Sequence, residues 1–134
     1  RFGGDGKRLP LLRLKADLYA QVLAAVSQRE VEVVAQIIDS GGPAAQRLVD
    51  AIYAFAVRVM RGRRLAYALI AEPCEPEIDE ARLKYRAALT DQIARVIAQG
   101  IKAGEFRQVD VPVFVKGMLG AHNWISVWIV RADG

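Results

Sequence analysis

Residues 78–102 read IDEARLKYRAALTDQIARVIAQGIK, and their periodicity decides the fold class. At about 100° per residue, Ile78, Tyr85, Leu89, Ile93 and Val96 share one face, and Leu83, Ala87, Ala94, Ile97 and Ile101 form a second. Glu80, Lys84, Asp91, Arg95 and Lys102 make the solvated remainder, with Glu80/Lys84 and Asp91/Arg95 as favourable pairs four residues apart. A helix in a small monomer normally needs one apolar face. Two such faces ask for two burial partners, namely the chain's own core and a second chain.

Toward the C-terminus, Gly104 ends this pattern and Asp110 is positioned to cap the next helix, with Pro112 in its first turn. That last helix divides in the same way. Val113, Gly117, Gly120, Trp124, Val127 and Trp128 cover one face, while Phe114, Met118, Ala121, His122, Ile125 and Ile129 cover another; Lys116, Asn123 and Ser126 form a polar strip. Glycine inside a helix costs roughly 1 kcal/mol relative to alanine, so Gly117 and Gly120 need an offsetting contact. Close helix approach beside Trp124 and Trp128 supplies one, with the last two helices of each chain forming an intersubunit four-helix bundle. The alternative is that both glycines sit against an internal helix. Residues 112–130 are apolar enough to raise the question of a membrane span, but Lys116, His122, Asn123 and Ser126 argue for a buried helix and for no membrane partner.

Toward the N-terminus, Pro73 and Pro76 bound a short helix over Arg63–Ala71. Before it, a helix over Ala44–Met60 carries Leu48, Ile52, Phe55 and Val59 on one stripe. Gly41 or Gly42 supplies a left-handed residue after a first helix over Leu11–Ser40, and Pro43 pre-sets the next turn. In that first helix Leu11, Leu14, Leu18, Val22, Val26, Val33 and Ile37 recur at helical spacing, with a bend allowed near Ser27. No stretch alternates with a period of two for long, so the predicted class is an all-α helical bundle.

With 134 residues, 53% of them hydrophobic, the chain has enough apolar material for one domain-sized core. Its single cysteine, Cys74, excludes an internal disulfide framework, and the acidic neighbour Glu75 argues against a reactive thiolate. The first residues have no secretory pattern, so the expected location is cytoplasmic. The net charge of +4 is mild. Its clusters, Arg1 to Lys15 and Arg58 to Arg64, are compatible with nucleic acid nearby, although a solvated face is the commoner explanation.

The segment Arg63-Arg64-Leu65-Ala66-Tyr67-Ala68-Leu69-Ile70-Ala71-Glu72-Pro73, followed by Pro76-Glu77-Ile78-Asp79, Arg82 and Tyr85-Arg86, resembles the middle of the regulatory domain of tetracycline-repressor (TetR) family regulators. Gly100-Ile101-Lys102-Ala103-Gly104-Glu105-Phe106 is similar to that family's link between its two dimerisation helices, and Gly120 with Asn123-Trp124 and Trp128 to its final helix. Lys15 to Leu23 resembles the passage from a DNA-binding head into the first regulatory helix. Arg1-Phe2-Gly3-Gly4 resembles the exit from a recognition helix, in a different register. The resemblance implies that residues 1–14 are a remnant or linker from a helix-turn-helix head and that residues 15–134 form the effector-binding and dimerisation domain. A complete head needs a three-helix unit before this point, and many relatives continue past the position of Gly134 into another helix.

The resemblance further implies a cytoplasmic homodimeric transcriptional repressor whose small, mainly apolar effector controls operator DNA binding in the full-length protein, though not through this chain alone. It places the aromatic residues Tyr53, Phe55, Tyr67 and Tyr85 on the helices around the effector cavity. The expected ligand-binding set is Ile52, Phe55, Val59, Tyr67, Tyr85, Leu89, Met118 and His122, apolar groups with a few polar atoms to orient a guest; each has the simpler reading of a core residue. The dimer set is Val113, Gly117, Gly120, Trp124, Val127 and Trp128. His122 is the only histidine, so neither a catalytic pair nor a histidine metal cluster can be built around it. The acidic run Glu72, Glu75, Glu77, Asp79 and Glu80 surrounds a helix start, where the helix dipole favours negative charge. No phosphate loop, nucleophile triad or dinucleotide fingerprint is present, and no enzyme activity, cofactor or metal is expected. The alternative function is a helical dimerisation module without an effector site.

Overall fold

The computed structural model describes residues 5–70 and 76–132. Arg1 to Gly4, Glu72, Cys74 and Glu75 lie outside the described residues. Five helices follow one another: α1 (Asp5–Asp39), α2 (Ala44–Arg61), α3 (Arg63–Ile70), α4 (Pro76–Lys102) and α5 (Val111–Ala132). Among the described residues there is no strand, and the protein is all-α.

Helix α4 is the central post, packed against α1, α2 and α5, while α3 lies against α5. The stripe read from its sequence is the stripe it buries, since Ile78, Tyr85, Leu89, Ile93 and Val96 are all nearly inaccessible. Tyr85, Leu89, Ile93 and Val96 meet Val34 and Ile38 of α1, Phe55 and Val59 of α2, and Val115 of α5 in one core. Of the predicted surface pairs, Lys84 and Glu80 join at 2.9 Å. Arg95 instead reaches across to Asp39 of α1 at 2.8 Å.

That bridge, together with the smaller cluster of Leu23 and Ile78, shows that α1 and α4 run parallel. Leu23 is level with Ile78 and Asp39 with Arg95, so the turns of α1 before Leu23 extend past the start of α4. Leu9, Leu11, Leu12, Leu14, Leu18 and Val22 are accordingly exposed. The stripe expected on α1 is therefore turned by about one residue. The buried seam is Leu23, Ser27, Val34 and Ile38, and a serine within it disguised its position. The helix also starts earlier than Leu11, taking Pro10 into its second turn at the loss of one bond to the Gly6 carbonyl, and it continues through Ser27 without a break. The expected domain boundary after residue 14 falls inside this helix.

Two turns fix the far end of the bundle. Gly41 and Gly42 both take positive φ, +82° and +83°, which glycine adopts without steric cost. At the end of α4, Gly104 has φ +76°; the Gly104 amide donates to the Ile101 carbonyl at 3.1 Å and the Glu105 amide to the Gly100 carbonyl at 2.8 Å. This is the Schellman arrangement, which satisfies carbonyls that have no partner within the helix. The Val113 amide donates to Asp110 Oδ1 at 3.1 Å, so Asp110 caps α5 as its position indicated.

Helix α5 departs from its predicted faces most plainly at Ser126 and Val115. Ser126, assigned to the polar strip, is 1% exposed, its hydroxyl donating to the Asn123 carbonyl at 2.7 Å. Val115, assigned to neither face, is fully buried. Both follow from α5 meeting α2, α3 and α4 on different sides.

Candidate functional site

Phe55 lies at the centre of the candidate site, one turn before Val59 on the buried stripe of α2. It borders a cavity of about 60 Å³ between α1, α2, α3 and α4, lined also by Val26, Glu30, Arg58, Val59, Ala66 and Tyr85. It also borders a much smaller void of about 10 Å³, lined by Val34, Ile52, Leu89, Ile93, Leu119 and His122. Phe55 lines both. Helical spacing makes this juxtaposition: Tyr85, Leu89 and Ile93 step along one face of α4, and Ile52, Phe55 and Val59 step along α2 opposite them.

The polar atoms are few. At the outer cavity Arg58 Nη1 donates to Glu30 Oε2 at 2.9 Å in a mostly covered ion pair. Burial, helped by Glu30 and opposed by Arg58, pushes the Tyr85 phenol well up, so it stays protonated. At the inner void the His122 ring meets the Phe55 ring with centroids 4.5 Å apart and a tilt of 42°. His122 Nε2 is buried with no hydrogen-bond partner among the described residues. Burial holds the imidazole below its ordinary range, leaving it neutral at pH 7. A buried nitrogen without a partner is unfavourable by roughly 1–3 kcal/mol, which makes it a natural point of attachment for a guest.

Of the expected ligand set, the structure brings Ile52, Phe55, Val59, Tyr85, Leu89 and His122 to these two spaces. Tyr67 and Met118 are half-buried and line neither. Tyr53 is 69% exposed and points away from the core. Glu30 and Arg58 were not foreseen; their pairing joins α1 to α2 across a separation of 28 residues, and no local pattern announces it. Among the described residues no group of acidic, histidine or cysteine side chains is placed to hold a metal ion, and no helix is long and apolar enough to cross a membrane.

On the outside of α5, Val113, Trp124 and Trp128 are exposed at 68%, 52% and 63%. A Cβ added at Gly117 or Gly120 would meet nothing within 4 Å, so neither glycine is pressed against an internal helix. Val127, grouped with them by periodicity, is buried within the protomer.

The arrangement is an α-helical body with small aromatic-lined spaces in its interior and a bare tryptophan-bearing outer helix. Residues 41–134 match the tetracyclin repressor-like C-terminal domain family. The chain belongs to that family, and thus to the regulatory part of a TetR-type regulator. No curated protein and no solved structure matches the chain.

Proposed function

We propose that this chain is the effector-binding and dimerisation portion of a ligand-responsive transcriptional repressor. A small, mainly apolar molecule enters between α1, α2, α3 and α4, toward α5, and alters the separation of two DNA-binding heads, releasing operator DNA. The observation that carries this reading is the pair of spaces meeting at Phe55, apolar except for a self-neutralised ion pair, the Tyr85 phenol and one imidazole nitrogen without a partner. Large exposed side chains on α5 and the open surface at Gly117 and Gly120 support a homodimer formed through α4 and α5. Operator DNA is read by a helix-turn-helix head and not by these five helices.

Native mass spectrometry on protein purified without denaturation, followed by thermal-shift screening of acyl thioesters, fatty acids, flavonoid-like aromatics and cationic drugs, tests the effector. A ligand present at a hundred times its dissociation constant adds roughly 2.7 kcal/mol to the folded state, enough for a clear rise in melting temperature. If no class raises it, the sensor reading fails. Sedimentation at micromolar concentration should give a dimer that Gly120→Leu shifts toward monomer; a monomeric wild type overturns the assembly.

One observation favours a second reading, a dimerisation module without an effector. The inner void, about 10 Å³, is scarcely large enough for one water molecule. A filled interior that binds nothing in the screen, in a chain that still dimerises, would establish that reading.

A further inference from the structure

Phe55 is the one residue, among those described, that lines both the outer cavity and the inner void. The two spaces follow each other along α4, the outer at Tyr85 and the inner at Leu89 and Ile93. Eight residues of helix span about 12 Å. The outer space reaches the surface, because Leu65 at its edge is 39% exposed and the Arg58–Glu30 pair is partly accessible. The inner one is lined by His122, whose Nε2 is buried without a partner. Phe55 is therefore the residue shared by the space that reaches the surface and the void that His122 lines.

We propose that Phe55 is a swinging partition between two halves of one effector channel, and that the effector is an uncharged, elongated apolar molecule whose hydroxyl-type group bonds with His122 Nε2. This rests on the effector reading above and specifies the ligand class. Three features set that class. Arg58 and Glu30 neutralise each other at the entrance, so no lone charge attracts a carboxylate or an ammonium group. The inner wall offers Val34, Ile52, Leu89, Ile93 and Leu119, none of which compensates a buried charge. A hydroxyl both donates and accepts, so it suits either form of a neutral imidazole.

The test measures dissociation constants of 1-octanol, 1-decanol, octanoate and octylammonium by calorimetry on the chain and on His122→Leu, His122→Gln, Phe55→Ala and Phe55→Leu, each first checked for folding by circular dichroism. Octanol should bind at least about tenfold more tightly than either charged probe. His122→Leu should remove most of that preference, and His122→Gln should retain part of it. Phe55→Leu, which keeps the core filled if Phe55→Ala does not fold, should shift the preference from octanol toward decanol. Equal or tighter binding of a charged probe, no effect of His122→Leu, or an unchanged chain-length preference in Phe55→Leu overturns the proposal. Absence of any alcohol binding also overturns it, while a charged hit from the broader screen would leave the effector reading intact.

Discussion

The two ends of the helical core are built by opposite means. At the α4–α5 turn several polar groups tie the helices together. Glu105 accepts from the Ala44 and Ala45 amides at 3.0 Å each, and Arg47 donates to the Ile38 carbonyl, the Gly42 carbonyl and Gln99. Phe106 lies so close to Gly100 that no side chain fits between them. Around Phe55 the polar ties are looser, with a partly exposed ion pair and an imidazole nitrogen lacking a partner beside two small voids. The difference teaches where the molecule resists change and where it yields. A turn pinned by polar contacts holds α2, α4 and α5 in register, and the centre between the same helices is held mainly by apolar packing.

The most severe break of the pinned end is Gly100→Val. A Cβ there would collide with the Phe106 ring and approach Ala44 Cβ to 3.1 Å. Overpacking of this kind typically costs about 1–3 kcal/mol. Denaturant unfolding should show that loss, and hydrogen exchange should place it at the start of α2 and the α4–α5 turn. Unchanged stability would mean that the Phe106 ring moves freely, and the contrast between the two ends would fail.

At the looser end the matching disruption is Arg58→Met, which keeps the volume and leaves Glu30 without its partner. Loss of a hydrogen bond to a charged group costs roughly 1.5–3 kcal/mol, and partial exposure of the pair reduces this to about 1–2 kcal/mol. The smaller loss follows from Glu30 being able to reach water. Equilibrium unfolding measures it directly, and a loss exceeding that of Gly100→Val would reverse the ranking of the two ends.

The same division runs through what could be read from the sequence. Helix α4 announced its buried stripe because five large apolar residues repeat on a solvated background, and Asp110 announced its cap because that interaction spans three residues. Phe55, Tyr85 and His122 could be grouped, since each sits on an apolar face of a helix that the family resemblance places around a cavity. Glu105 could not be read as the cap of α2, for it lies about sixty residues from the amides it binds, and Pro43 at the cap position has no side chain to do so. Nor could the seam of α1, where Ser27 is buried while leucines ahead of it are exposed; burial there depends on where α4 begins, and no local periodicity records that. The size of the voids depends on the whole set of surrounding side chains and was equally illegible.

A smaller effect, of opposite sign, is expected on the outer surface. Because nothing lies within 4 Å of an added Cβ at Gly117, Gly117→Ala should stabilise the isolated protomer by about 0.5–1 kcal/mol through helix propensity. If α5 packs closely against a second copy, the added methyl should weaken that association. Unfolding measured across protein concentration separates the two: a gain at high dilution with a lower dimer affinity supports close approach, and a uniform gain argues against it.

The smallest expected change tests the pinned end through pH. Hydrogen bonds from the Ala45 and Ala44 amides, with Arg47 nearby, hold the Glu105 carboxyl below its ordinary value of 4.5. A group depressed in the folded state contributes its stabilisation fully above the unfolded value and loses it as pH falls through the folded one. Wild-type melting temperature should therefore fall in acid partly because this carboxylate protonates and releases the start of α2. Glu105→Gln keeps the length but presents an amide with one acceptor oxygen to two donors. It should melt slightly below wild type at pH 7, and the two melting temperatures should converge as pH drops below 4.5. The exposure of Glu105 keeps the difference small, since water competes for the same amides. If the gap between the two proteins stays constant into acid, the carboxylate is not what holds α2 to the turn, and the rigidity assigned to this end must rest on Phe106 and Arg47.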